Sequence, residues 1–526
     1  MNTQRYHWLI PLFSAWLFAS YPVIFMWSKN WEDVFVREVA LDLSLIFTAT
    51  TVLYVAYRTY FKNSVKASIA ASLSNFMFFS FGYIFNHASP TFILLKETTK
   101  IWNYNVLIPL WIVLFFACLY RLKSTSEKLC SFLYNLQNIL SLGLLLSTSF
   151  PLFARLFQND RASDATPKLQ ASARKRPNIY YIILDEYARH DVLENLYDFD
   201  NTPFLEKLEQ QGFFIARKSC SNYSMTSLSL PSSLSMNFLD VPEEDKQKPY
   251  YSPWRYSPSL TISRSPLIQL LKEYGYQFVH ISSGFGFTLQ LKIADLELGD
   301  YYFSSFTSFL LDRSLWGPFA RRFPRISLEK TPAKTILDQL HYLEESATLP
   351  SPHFVFCHIL CPHDPFVFDE NGNEVPEYEK VLDHSVDYSE PYKKQLTALN
   401  QKLLPTLTTM LTHDPDSIII IQSDHGVAWY KGDFKYFYEK DGRFQSRLLP
   451  ERMGILNAYH FPENDKPSIP EDVTPVNSFR IILNHYLGTK LPLLPNTCCW
   501  SMVPRPFEFI EYPSEEINKI EIKKDE

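Results

Sequence analysis

The sequence predicts two unlike parts in series: an α-helical membrane domain of five spans, then an α/β domain built on a mainly parallel central sheet. Three observations carry this. Five apolar windows in the first 154 residues are each long enough to cross about 30 Å of hydrocarbon. From Asn178 onward, short runs of β-branched and aromatic residues alternate with helical patterns, as they do where crossover helices join parallel strands. Carboxylates and imidazoles then recur directly after those runs, at the strand ends where α/β sheets bind ligands.

The windows are Trp8 to Trp27, Val39 to Tyr57, Ala67 to Asn86, Ile101 to Tyr120 and Leu129 to Ala154, and Asp42 is the one charge inside them. A buried globular helix would explain any one of them, but five in succession read as a membrane domain over residues 1–154. A cleaved leader would account for the first window only. Basic residues in short loops orient the spans. Arg5, then Arg58, Lys62 and Lys66, then Arg121, Lys123 and Lys128 mark the cytoplasmic side, so the chain beyond the fifth crossing lies outside. That places the protein in the cell's inner (plasma) membrane as a multi-pass chain with an extracytoplasmic outer part. Residues 155–177, polar and carrying Pro167 and Pro177, read as a linker. Its basic residues can face anionic headgroups or serve as a plain tether.

A net charge of -6 and a pI near 6.1 give no basis for a nucleic-acid partner. The mean hydropathy of -0.13 averages an apolar first part with a polar second. Of seven cysteines, Cys220, Cys357, Cys361, Cys498 and Cys499 fall in the outer domain, 178–526. Cys357 and Cys361 lack two further partners at structural-zinc spacing.

In that domain Ile179 to Leu184, Phe278 to Ile281, His353 to Leu360 and Ser417 to Ile421 read as strands, and Pro203 to Gln211 as a helix. The last strand runs into Ser423-Asp424-His425-Gly426, a carboxylate and an imidazole followed by a residue that permits a sharp turn. The first runs into Asp185-Glu186-Tyr187-Ala188-Arg189, and the third into a segment with His358 and His363, the latter set between Pro362 and Pro365. Carboxylate oxygens with imidazole nitrogen suit zinc or manganese. Between them lies Tyr223-Ser224-Met225-Thr226-Ser227-Leu228-Ser229-Leu230-Pro231. A hydroxyl at that helix start could be ligand and nucleophile together, although the stretch alone is equally a helix cap.

Taken together, these residues resemble the alkaline phosphatase and sulfatase superfamily, in its membrane-anchored branch of phosphoethanolamine transferases and lipoteichoic acid synthases. The resemblance implies an α/β sulfatase-like domain holding one divalent metal, zinc or manganese, with a second metal open. Its Gly-Glu-Thr-Ala-Arg segment falls on residues 185–189, making Glu186 the ligand; relatives with Asp-Gly there would put it on Asp185. Its Thr-Ala-x-Ser-x-Pro resembles Thr226-Ser227-Leu228-Ser229-Leu230-Pro231, which makes Thr226 metal ligand and nucleophile. Its pair of histidines falls on His358 and His363 as substrate-binding residues, His363 also catalytic, and its Asp-His pair on Asp424 and His425 as metal ligands. The further histidine before Gly-Thr-Pro is absent from 448–460, and the family's cysteines beside the nucleophile are Met225 and Ser232 here. No Cys or Ser followed by x-Pro-x-Arg accompanies the nucleophile segment, so formylglycine-dependent sulfate hydrolysis is disfavoured.

The implied activity is transfer of a phospholipid-derived phospho-headgroup, of phosphoethanolamine or phosphoglycerol type, to an envelope glycan or lipid through a phospho-threonine intermediate. The partners are then a phospholipid donor in the membrane and a glycan or lipid acceptor. A membrane-anchored phosphodiesterase, phosphatase or sulfuric ester hydrolase would use the same residues, and a non-catalytic envelope scaffold would need none of them.

Overall fold

The computed structural model describes residues 8–31, 34–87, 104–159, 176–249, 256–284, 286–299, 305–322, 330–375, 388–427 and 448–524. The chain divides into two compact units. One comprises residues 1–166 with 301–329, the other 167–300 with 330–526.

Among the described residues of the first unit, helices follow one another: α1 (Leu9–Lys29), α2 (Val36–Phe61), α3 (Ser64–His87), α4 (Tyr104–Ser124) and α5 (Glu127–Asn159). Four stretches, within α1, α2, α4 and α5, are long and apolar enough to cross a membrane. Four of the five expected windows thus have a candidate among the described residues; the third, Ala67 to Asn86, lies on α3 and reaches the edge of those residues. Helix α3 packs against α1, α2, α4 and α5 and carries buried Ser68, Ser72 and Asn75 on its contact surfaces. Asn75 donates to Thr50 Oγ1 on α2 at 3.1 Å, and Gln137 on α5 reaches Ser68 Oγ at 3.4 Å and Ser14 Oγ of α1 at 3.0 Å. Such polar groups bridge helices packed within an apolar bundle. Helix α5 runs to Asn159, past the expected end of its window, and residues 160–175 of the expected linker lie outside the described residues.

Two short helices, Ser305–Asp312 and Trp316–Arg322, belong to this first unit although the sequence places them deep in the outer part. Between them Leu315 N–H donates to Phe78 O of α3 at 2.8 Å. At Gly82 a Cβ would lie 2.3 Å from Arg313 O, so only glycine admits that approach.

The second unit is organised by a seven-stranded sheet in the order β2-β7-β6-β1-β5-β3-β4, with β1 (Ile179–Leu184), β2 (Phe214–Ile215), β3 (Gln277–Ile281), β4 (Leu296–Leu298), β5 (His353–Ile359), β6 (Ile418–Gln422) and β7 (Asn457–His460). The run β6-β1-β5-β3-β4 is parallel, and β7 and β2 add antiparallel pairs. A separate antiparallel ribbon pairs β8 (Thr497–Met502) with β9 (Arg505–Pro513).

The central strands are unbroken apolar runs because both faces are covered. Tyr180, Ile182, Leu184, Ile419 and Ile421 enter one core, and Ile179, Tyr181, Ile183, Ile418 and Ile420 the other. In register, Leu184 of β1 sits beside Ile359 of β5, and Ile183 beside both His358 and Gln422. Three chain segments rich in ionisable groups thus emerge side by side from the middle of the sheet.

Candidate active site

The turn after β1 places Asp185 and Glu186 at the sheet's carboxyl edge. Glu186 has φ +62°, a left-handed conformation uncommon outside glycine and found at functional turns. The turn is held by Glu186 N–H donating to Asp424 Oδ1 at 3.3 Å, Tyr187 N–H to Ser423 Oγ at 2.8 Å, and Tyr392 O–H to Glu186 O at 2.8 Å. After β6, Ser423 Oγ donates to His425 O at 2.7 Å and Ser229 Oγ to Asp424 O at 2.5 Å, fixing the Asp-His pair from both sides.

Asp185, His358 and Asp424 are all buried, with ligand atoms within 4.8 Å of one another. His358 sits inside β5, one residue from its end. Its Nε2 lies 3.3 Å from Asp185 Oδ2 and its Nδ1 bonds Thr288 Oγ1 at 2.9 Å. His425 Nδ1 lies 3.0 Å from Gly426 O, which assigns the proton to Nδ1 and leaves the lone pair on Nε2. That Nε2 faces Asp424 Oδ2 at 3.2 Å and Asp185 Oδ1 at 3.9 Å. Both oxygens are buried without a hydrogen-bond partner among the described residues. Unpartnered buried carboxylate oxygens converging with the Nε2 of His358 fit a bound cation. Histidines whose second ring nitrogen is held by a hydroxyl or backbone carbonyl are how proteins orient metal ligands.

Thr226 opens the helix Thr226–Ser235, half-buried, with Oγ1 3.0 Å from His425 Nε2. The hydroxyl therefore meets the cluster at a helix N-terminus, where backbone dipoles favour a phosphate oxyanion.

Electrostatics separate the two carboxylates. Burial opposes ionisation of Asp185, but His363, His358 and His425 around it hold it well below the usual carboxylate range. Burial, reinforced by the neighbouring Asp185 charge, pushes Asp424 well above that range. Burial, helped by Arg452, pushes His425 well below the ordinary imidazole value, so it stays neutral. Burial works against the His363 imidazolium, yet Glu186, Asp185 and Asp364 outweigh it and raise His363 well above the ordinary value.

Of the residues expected to act together, Asp185, Thr226, His358, Asp424 and His425 form this cluster. His358, expected to meet substrate, lies instead among the carboxylates. Glu186 turns toward Arg452, whose Nη1 donates to Glu186 Oε1 at 2.7 Å. His363 stands at the partly open edge, its Nε2 4.0 Å from Glu186 Oε1.

Arg452 escaped the sequence reading. It lies on the short helix Leu449–Met453 and donates to Ser224 O at 2.8 Å, Gly426 O at 2.9 Å and His425 Nε2 at 3.3 Å, besides Glu186. A single arginine 26 residues beyond Gly426 has no spacing signal; only the fold brings it back. Since both members of the Arg452–Glu186 pair are buried, Arg452→Met should cost about 3–5 kcal/mol, with Arg452→Lys recovering part of it. Thermal unfolding of the purified chain reads this, and a wild-type midpoint for Arg452→Met would contradict it.

The class these features define is confirmed by comparison. The sulfatase family model matches residues 177–462, more than half of the chain, and the chain belongs to the sulfatase family, within the sulfatase-like alkaline phosphatase superfamily. No curated protein matches the chain. Among solved structures it is similar to the C-terminal periplasmic domain of EcEptC from Escherichia coli in complex with Zn, at 12% identity and a TM-score of 0.44, covering 68% of this chain and 98% of that one. It is also similar to yidJ from Bacteroides fragilis, at 14% identity and a TM-score of 0.41, covering 64% and 83%. A third, BT1596, a 2-O GAG sulfatase, has 13% identity and a TM-score of 0.37, covering 60% and 72%.

Proposed function

We propose that this chain is a membrane-anchored, metal-dependent transferase that moves a phospho-headgroup from a phospholipid to an envelope glycan or lipid by way of Thr226. The observation that carries the reading is the half-open Thr226 hydroxyl, bonded at 3.0 Å to the unprotonated Nε2 of His425 beside two buried carboxylates. Family membership supplies the superfamily. The threonine, in place of a Cys or Ser followed by x-Pro-x-Arg, favours phosphoryl transfer over sulfate hydrolysis. Apolar helices in series with the catalytic domain suit a donor that lies in a bilayer, with that domain on the extracytoplasmic side of the plasma membrane.

Asp185, His358, Asp424 and His425, with Thr226, would hold one zinc or manganese. When bound, such an ion lowers the pKa of a coordinated hydroxyl and offsets charge on phosphoryl oxygens. Thr226 Oγ gives up its proton to solvent at the open edge as it attacks the phosphorus, and the bond to the diacylglycerol oxygen breaks; the threonine oxygen regains a proton there when the phospho-threonine is cleaved. The raised His363 carries a proton at the open edge for that leaving oxygen, and then accepts one from the acceptor hydroxyl that attacks the phospho-threonine. Arg452 fixes Glu186 and the His425 ring so that this edge keeps its charge.

Metal binding is a direct check. A chelator-stripped chain should take up one zinc or manganese, with Asp185→Asn and Asp424→Asn each weakening affinity by about 100-fold or more. Because burial and the Asp185 charge raise Asp424 above the usual carboxylate range, protons compete with the metal for its carboxylate, so affinity should fall as pH falls and uptake at acid pH should release protons. Calorimetry in buffers of differing ionisation enthalpy across a pH series measures that release; an affinity that does not fall with pH, or tight binding by Asp424→Asn, would count against the site. Transfer itself is distinguished from hydrolysis by following a labelled headgroup: recovery on an acceptor supports the transferase, whereas free phosphate alone selects the phosphatase reading.

A further inference from the structure

We propose that the first unit carries a ligand site of its own, a pocket for an aminophospholipid in which Asp42 receives the ammonium and the apolar walls take an acyl chain. A cavity of about 640 Å³ lies wholly within that unit. Its walls come from α2 (Asp42, Leu45), α3 (Asn75), α4 (Trp111) and the returning segment (Thr307, Trp316), and they are otherwise almost entirely apolar. Allowing roughly 30 Å³ per methylene, about the share of a water molecule in the liquid, the space holds at least one acyl chain. Leu45, one of its lining residues, is 51% exposed, so the pocket is not sealed from the surroundings of the helices.

Its polar groups are mostly committed. Ser74 Oγ donates to Ala70 O at 2.9 Å, and Asn75 Nδ2 to Thr50 Oγ1 and Ala71 O. Asp42 differs. Only 2% exposed, it accepts from Thr307 Oγ1 at 2.8 Å through Oδ1, while Oδ2 is buried with no hydrogen-bond partner among the described residues. A carboxylate lining an apolar cavity in a membrane helix is costly unless a cation or donor answers it. Asp42 is the seventh residue of α2, about 9 Å from its start at 1.5 Å per residue, a headgroup depth rather than mid-bilayer. An ammonium on an alkyl amphiphile satisfies charge and walls together; a phosphoglycerol headgroup brings negative charge to a carboxylate. The inference goes beyond the transferase reading, since it assigns a second binding site remote in sequence from Thr226.

The test uses the full chain in lipid nanodiscs containing phosphatidylethanolamine with a photoreactive acyl chain, against phosphatidylglycerol with the same chain, with adducts mapped by mass spectrometry. The ethanolamine probe should label α2 and residues 305–316 with about a tenfold preference. Asp42→Asn should erase the preference, and Ala49→Trp, which fills the cavity and leaves the carboxylate in place, should suppress labelling by both probes. Equal labelling by the two probes, a preference that survives Asp42→Asn, or labelling undiminished by Ala49→Trp overturns the proposal. Labelling needs no turnover, so the Thr226→Ala chain should label as wild type. A failed pocket and a failed transferase reading therefore give different results.

Discussion

Thr226→Ala is expected to abolish turnover, by on the order of 10³- to 10⁶-fold as for other deleted nucleophiles, while leaving the fold intact. Thr226 is half-buried at the first position of its helix, and its N-cap neighbour Met225 makes no side-chain cap. Removing the hydroxyl therefore costs the helix little and leaves the Asp185, His358 and Asp424 cluster untouched. Thr226→Ser, which keeps a nucleophilic oxygen, should retain measurable activity. The direct readout is the mass of the Thr226 peptide trapped during turnover: a phospho-substituent there identifies the donor headgroup. Full activity in Thr226→Ala would remove Thr226 from the mechanism.

Gly426→Ala is expected to have the largest structural effect of any single methyl addition near the site. An alanine Cβ would lie 2.2 Å from Glu451 O and 2.8 Å from Gly454 O, both backbone atoms. Gly426 N–H also donates to Arg452 O at 2.7 Å, while Arg452 Nη1 donates to Gly426 O. The end of β6 and the helix Leu449–Met453 are thus pressed backbone to backbone, and the added methyl must part them. A cost of about 3 kcal/mol or more follows from overpacking of this kind, seen as a drop of several degrees in unfolding midpoint. Parting the two segments also moves Arg452 away from Glu186 and His425, so metal affinity and activity should fall together. A wild-type midpoint with wild-type metal binding would show that the contact is not needed.

Much of the fold was legible because its signals are local. An unbroken β-branched run such as Ile418 to Ile421 reads as a strand covered on both faces, and β1, β3, β5 and β6 lie within a residue or two of where their patterns place them. The strand ends told where chemistry would gather but not which side chains meet. His358 has the parity of Phe354 and Phe356, which enter the same core as Ile183 and Ile420. Pleating carries it to that face, beside Asp185.

The sequence by itself determined the division into apolar helices and a parallel α/β sheet, which follows from periodicity, and pointed to Asp185, Asp424 and His425 from their position after strands, whereas Thr226 and the family came from the resemblance of the ordered motifs. Only the tertiary structure decided that His358 joins the carboxylates, that Glu186 is engaged by Arg452, and that residues 305–322 belong with the membrane helices around Asp42. Those outcomes depend on contacts between segments tens to hundreds of residues apart. Such contacts are fixed by strand register and packing, and neither leaves a mark on the local pattern of residues.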